Sequence, residues 1–368
     1  MPISRRLVLQ SAAAFSASAL IPGSTRAAQP SFSPRPGPWR VFETVVRVDI
    51  AKPGEAQAWI PLPSVDEAEW MRPGESMWSA EGAAAEIVTD ATQGTRLLHA
   101  TWDKGAASRE LEVRSRFATR DRAVALDGGT SDGATISATL RRRYTAPTEL
   151  IPTDGIVKET SDRITDRARS ELDQARAIYE WVVDNTFRNP KTRGCGIGDI
   201  TYMLKSGDLS GKCADLNALY VGLARAAGLP ARDVYGIRLC PSRFGYKSLG
   251  AATADITKAQ HCRAEVFITG KGWIPVDPAD VRKVVLEEPP GNLPTSDPKV
   301  VEARTALFGA WEGNWLAYNV SHDVALPGSS GPKLGFLMYP QVEIAEERGD
   351  PLDPGGIRYQ ITAHEILT

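Results

Sequence analysis

Histidine and cysteine are scarce in this chain, with four of each among 368 residues. A structural zinc site draws on several such side chains at fixed spacing, and neither Cys-x-x-Cys nor His-x-x-x-His occurs, so the common zinc modules are excluded. An excess of charge is lacking too: 43 Lys and Arg face 45 Asp and Glu, a formal net charge of −2. That balance favours neither nucleic acid nor an anionic membrane surface as a partner. The one basic triplet, Arg141-Arg142-Arg143, reads as the solvated side or the edge of a strand. No apolar run beyond the first thirty residues is long enough to span a bilayer, no acidic loop has calcium-site spacing, and no internal repeat is evident. The length suggests two domains, and an apolar content of 42% suffices for a sizeable core.

The first 28 residues read as an export signal. Met1 to Arg6 form a basic head, Leu7 to Ile21 an apolar run, and Pro22 and Gly23 break it before the small residues Ala27 and Ala28. Ser4-Arg5-Arg6 followed by Leu7, Val8 and Leu9 resembles a twin-arginine signal, so a periplasmic or secreted location is expected. Residues 29–38, with Pro30, Pro34, Pro36 and Pro38, read as an unstructured linker. In an exported protein four cysteines invite a disulfide. If one is a nucleophile, at most one bridge forms, and Cys195 with Cys240 is the pair to test.

From residue 39 to about 144 the period is two. Val46, Val48 and Ile50 alternate with Arg47 and Asp49, and Leu111, Val113 and Phe117 alternate with Glu112, Arg114 and Arg116. This predicts half-buried strands in a β-sandwich-like domain. Nothing in it resembles a catalytic cluster, and His99 reads as structural. The character then changes. Ser161 and Asp162 are candidate helix caps, and Leu172, Ala175, Ile178, Tyr179 and Val182 have the helical period. After a loop from Asn185 to Gly198, a second helix begins near Cys213, carries Leu216, Leu219, Tyr220, Leu223 and Ala227 on one face, and ends at Gly228 and Pro230. Strands follow over 233–239, 261–268 and 273–276, the last two joined by a Thr269-Gly270-Lys271-Gly272 hairpin turn. Helices first and strands second make the region 145–290 an α+β unit. Residues 291–368 show no clear period and read as an extension packed on it.

Cys213 stands where a helix starts, just after Ser210-Gly211-Lys212. Unpaired N–H groups, the helix dipole and the Lys212 charge all favour a thiolate there, and the same N–H groups suit an oxyanion. A nucleophile needs a base, and the base needs a group that holds its tautomer. His261 heads an extended run that places it on one face with Arg263 and Glu265. The returning hairpin strand brings Asp277 or Asp280 towards its ring, and counting along the turn does not choose between them. A metal bound by Cys213, His261, Cys262 and Asp277 is disfavoured, because His261 and Cys262 point to opposite faces of a strand. His322-Asp323 is a decoy, since adjacent residues rarely orient each other.

Gly211-Lys212-Cys213, the run Arg225 to Gly236, and the block His261, Glu265-Val266, Gly272 to Pro278 closely resemble the core of the transglutaminase-like superfamily. The resemblance spans roughly residues 145–285, with two separate blocks in the right order and spacing. It implies a papain-like α+β fold, helices packed on an antiparallel sheet, with a Cys213-His261-Asp277 triad, and it selects Asp277 over Asp280 as the acid before the Pro. Arg263 departs from the aromatic residue many members carry there, which bears on the substrate-side wall. The papain-like resemblance also implies a side-chain oxyanion donor upstream of the cysteine, for which Tyr202 is a candidate. Trp273 is a candidate cleft wall, and Asn217, one turn after Cys213, faces the cleft or solvent.

The expected activity is thiolate attack on an amide or peptide bond to give a thioester. Hydrolysis is favoured over cross-linking, with a peptide or protein substrate and no cofactor or metal. The contrasting reading is a non-catalytic peptide-binding or cell-envelope interaction module on the same fold.

Overall fold

The computed structural model describes residues 31–127, 133–355 and 357–367. The expected export signal lies outside the described residues. The described part of the linker is irregular but tied down: Phe32 is buried, edge-on to Phe244 and Tyr246 at 5.3 and 4.9 Å between ring centroids.

Period-two patterning produces two antiparallel sheets. In the first, Arg40–Asp49 lies between Arg358–Ile366 and Glu110–Thr119, with Met71–Ser79 at the far edge. The alternation is cleanest in Glu110–Thr119, where Leu111, Val113, Ser115 and Phe117 are buried and Glu112, Arg114 and Arg116 between them are not. The second sheet runs Glu347–Arg348, Gln341–Ile344, Ala56–Pro61, Arg96–Trp102, Ala83–Thr89. Phe42, Val46 and Val48 from the first sheet share one apolar layer with Ala58, Ile60 and Leu98 from the second.

A third antiparallel sheet carries the chemistry, in the order Gly272–Val276, Gln260–Ile268, Ala231–Arg238, Trp315–Asn319. The predicted strands and hairpin over 231–276 are present, with Ala264 opposite Val276. The helix Cys213–Ala226 packs on this sheet, and behind it lie Gly155–Thr165 and Glu171–Asn185. Val234, Ile237 and Trp315 of the third sheet join the apolar layer of the first two. The sheet is therefore covered on both sides, which explains why Ala231–Arg238 is buried at every position. Ion pairs stitch the same boundary: Glu265, fully buried, holds Arg122 and Arg232, and Arg232 reaches Glu67 at 2.7 Å.

Residues 291–368 do not form a separate layer. Arg358–Ile366 pairs with Val41 through Asp49, Gln341–Ile344 pairs with Ala56–Pro61, and Trp315–Asn319 completes the third sheet. Each covers a sheet edge that would otherwise expose unpaired backbone groups. Local predictions also need correction. The arginine triplet lies in a helix, Ala138–Thr145, whose cap Ser137 accepts from the Leu140 N–H. Ser161 and Asp162 sit inside Gly155–Thr165, which Asp154 precedes, and Ser161 donates instead to the Leu223 carbonyl at 2.8 Å.

Candidate active site

The helix Cys213–Ala226 starts at Cys213 because of its third residue. The Asp215 carboxylate accepts from the Lys212, Ile197 and Gly198 N–H groups, each at 2.9 Å. An acid at this position complements the helix dipole and satisfies a donor that the helix leaves unpaired. It also pulls the 195–198 loop against the helix, where the Cys195 carbonyl accepts from the Ala214 N–H at 2.9 Å. Two glycines permit this approach. A Cβ on Gly196, whose φ is +95°, would lie 1.8 Å from the Asp215 carboxylate, and one on Gly211 2.5 Å from it. Cys213 therefore occupies the first position of the helix, with its thiol almost buried.

His261 lies in the strand Gln260–Ile268 opposite Gly236, and its carbonyl accepts from the Trp315 indole N–H at 2.9 Å. The ring Nε2 meets Asp277 Oδ2 at 2.7 Å. Asp277 directly follows the strand Gly272–Val276 and caps the helix Pro278–Glu287, accepting from the Asp280 N–H at 3.0 Å. Asn217, fully buried, donates to Asp277 Oδ1 at 3.3 Å and to the Cys262 carbonyl at 2.8 Å. Asp280 is the second acid, 3.4 Å from the same imidazole nitrogen but paired with Arg238 at 2.5 Å. Both acids left open by turn counting thus reach the ring, and Asp277 stands nearer.

The electrostatics favour an ion pair of thiolate and imidazolium. Hydrogen bonds from Cys195 and Cys262, and then from His261, hold the Cys213 thiol well below its ordinary range despite burial. For His261, burial and the Arg238 charge oppose protonation, yet Asp280 and Asp277 outweigh them and push its pKa up to about 9. Burial and the neighbouring Asp280 charge raise the Asp277 carboxyl, while Arg238 and His261 hold Asp280 well below the usual carboxylate range. Thiol activation of this kind is the physical requirement for nucleophilic cysteine chemistry.

Cys213 and His261 open onto a cavity of about 590 Å³. Tyr339, Leu352, Ile357 and Tyr359 from the last segment form its apolar side, a contribution that the aperiodic sequence there did not signal. The other candidates lie elsewhere. Tyr202 is 65% exposed on the helix Ile200–Ser206, away from the cavity lining, so it is no oxyanion donor; Asp199 caps that short helix and leaves the ring outside. Trp273 packs edge-on against Tyr144 and Phe267 and does not line the cavity. Arg263 is buried over the Trp315 ring, 3.7 Å from Asp277, so it backs the acid and forms no part of the substrate wall. Asn217 faces neither cleft nor solvent. It is a positioning residue, legible in sequence only as a polar side chain, like Asp215 and Arg225, on a mostly apolar helix.

All four cysteines are free. Cys195 sits beside Cys213 and donates to the Gln260 carbonyl, while Cys240 accepts from Arg40 at 3.3 Å, so the bridge between them is absent. His99 stacks on Trp59, as a structural histidine should. His322 turns from Asp323 towards Asp233 at 3.4 Å, and Asp323 accepts from the Glu149 N–H. His261, Asp277 and Asp280 are close enough to share a cation, their ligand atoms lying within 4.8 Å. Arg238 and Arg263 already provide positive charge on both carboxylates, so the cluster does not fit a metal.

Residues 158–278 match the family model of the transglutaminase-like superfamily, so the chain contains a transglutaminase-like domain. It is 34% identical over 346 residues to an uncharacterised protein of Haemophilus influenzae, covering 89% of this chain and 92% of that relative. Among solved structures, a candidate cysteine protease from Cytophaga hutchinsonii is similar with a TM-score of 0.49 at 12% identity, covering 89% of this chain and 99% of that one. The periplasmic domain of TgpA from Pseudomonas aeruginosa has a TM-score of 0.34 at 16% identity, covering 70% and 94%.

Proposed function

We propose that this protein hydrolyses amide or peptide bonds through a thioester on Cys213. The observation that carries the reading is the Cys213–His261–Asp277 arrangement at the head of a buried helix, with His261 held 2.7 Å from Asp277. The Cys213 thiolate attacks the carbonyl carbon, and the Cys213 N–H at the helix start is the donor we assign to the developing oxyanion. His261 passes its proton to the leaving amine as the C–N bond breaks. Neutral His261 then takes a proton from water as that water attacks the thioester. The acid product leaves, and the thiolate and imidazolium are restored. Asp277 keeps the ring in one orientation and stabilises its charge throughout.

Water is the acceptor we favour. A cross-linking enzyme must bring a lysine ammonium to the thioester, and the cavity walls carry seven cations and no carboxylate. Like charge disfavours that approach. We further propose that the protein acts outside the cytoplasm, on the strength of the leader around Arg5 and Arg6.

Alkylation with iodoacetamide between pH 5 and 9, with the modified residue located by mass spectrometry, tests the catalytic reading. Rapid labelling of Cys213 below pH 7, slowed in His261→Ala, is expected. An ordinary thiol profile in both proteins would sink it in favour of a binding module.

A further inference from the structure

The net charge of the chain is −2, yet the cavity in front of Cys213 is lined by seven cationic side chains and no acidic one. Five of the seven have partners: Arg188 and Lys283 share Glu287, Arg193 meets Asp350, Arg238 holds Asp280 and Arg358 faces Asp49. None of those acids is among the residues that line the cavity. The remaining two, Lys212 and Lys258, have no carboxylate within ion-pair distance among the described residues, although the Lys258 charge also acts on Asp255. Lys258 is exposed and Lys212 partly so, which leaves both side chains accessible to a ligand.

Their positions along the chain set the range. Lys212 directly precedes the nucleophile, and Lys258 precedes the base by three residues, no more than about 11 Å of extended chain. Charges so placed act on groups close to the scissile bond and not on a distant part of a substrate. A concave site lined by one sign of charge also concentrates ligands of the other sign.

We infer that the substrate is an acidic polypeptide segment, with carboxylates within about three residues of the scissile amide, and that Lys212 and Lys258 are specificity-determining residues that receive them. The inference rests on the hydrolytic reading of this same site and adds the substrate class to it. Leu352, Ile357 and Tyr359, which also line the cavity, give the same segment an apolar surface.

Two reagents that form the same S–C bond and release iodide, iodoacetate and iodoacetamide, differ in charge and so test the inference on the full chain. The rate ratio of iodoacetate to iodoacetamide at Cys213 is expected to exceed that of free cysteine by roughly 10-fold or more at low salt. It should fall as salt is added and fall severalfold in Lys212→Gln/Lys258→Gln. A ratio unchanged in the double variant overturns the inference, since the His261 imidazolium alone would then account for any preference. The second measurement is calorimetric binding of a tetraglutamate peptide to Cys213→Ala protein. Binding that is lost in the Lys212→Gln/Lys258→Gln background supports the acidic class; absence of binding to the parent overturns it. The two readings fail separately. Slow labelling by both reagents with the peptide still bound removes the catalytic reading alone. Fast labelling without charge dependence removes the acidic substrate alone.

Discussion

Asp277 lies 2.7 Å from Nε2 of His261, and the contact is made by a residue that also caps the following helix. Asp280, one turn on, stands 3.4 Å from the same nitrogen with its charge already committed to Arg238. The two acids have different tasks. Asp277→Asn is expected to slow turnover by roughly 10³–10⁴-fold, the scale of losing a carboxylate that orients a catalytic imidazole, with folding retained. Asp280→Asn strands Arg238 in the interior and should cost about 3–5 kcal/mol of stability. Cys213 alkylation rates and urea denaturation on both variants separate the two; equal effects on both readouts would refute the division.

His261 has a pKa of about 9 in the folded protein, above the value near 6.5 of a free histidine. The sign follows from linkage: its ionic partners stabilise the fold fully below about 6.5, and that contribution is lost as pH rises through about 9. Turnover should decline over the same upper range, because the leaving amine needs the imidazolium proton. Comparing denaturation of the native protein and His261→Gln at pH 6 and pH 10 checks the first point. A stability difference that does not shrink at the higher pH would contradict it.

Asp233 gives a second prediction of the same sense, at lower pH. Burial pushes its carboxyl up to about 7, and neither oxygen has a hydrogen-bond partner among the described residues. The folded chain thus holds a proton that the unfolded chain releases near pH 4, so stability falls between about pH 4 and 7, by about 1.4 kcal/mol per pH unit at most. Asp233→Asn removes this slope. Its denaturation midpoint should gain on the native protein between pH 5 and pH 8; parallel behaviour would show that the carboxyl titrates normally.

Asn217 and Tyr202 make a matched pair of polar side chains near the nucleophile in sequence. Asn217→Ala removes a donor to Asp277 and leaves the Cys262 carbonyl unpaired. A stability loss of about 1–3 kcal/mol is expected, together with a slower Cys213 and an altered pH profile of labelling. Tyr202→Phe should change stability by less than about 0.5 kcal/mol, as at other exposed sites, and leave labelling untouched. Slowed labelling in Tyr202→Phe would return that side chain to the list of oxyanion donors.

Much of the site was legible because its grammar is local. Gly211-Lys212-Cys213 announces a helix start, and the hairpin around Gly270 and Gly272 carries the chain from His261 back towards Asp277. The strand Glu110–Thr119 declares itself by alternation, since one of its faces is buried and the other is not. Where both faces are buried, as in Trp315–Asn319, alternation vanishes and the strand reads as an undefined aromatic stretch. Helix caps were misplaced for a related reason: Ser161 is a good cap by type, but a buried carbonyl at Leu223 was the partner available to it.

The residue types alone determined that a cysteine at a helix start, a histidine in a strand and an aspartate after a hairpin would be present in that order. They also determined the helix and strand periods that bring them near one another. Tertiary structure decided what those residues meet. Asp215 pulling the 195–198 loop onto the helix, Asn217 turning inward to Asp277, Arg238 taking Asp280, and the last segment supplying both a strand to each large sheet and one wall of the cleft are all contacts between residues far apart in the chain. Such contacts follow from which surfaces the packed layers bury together, and no local window of sequence contains that information.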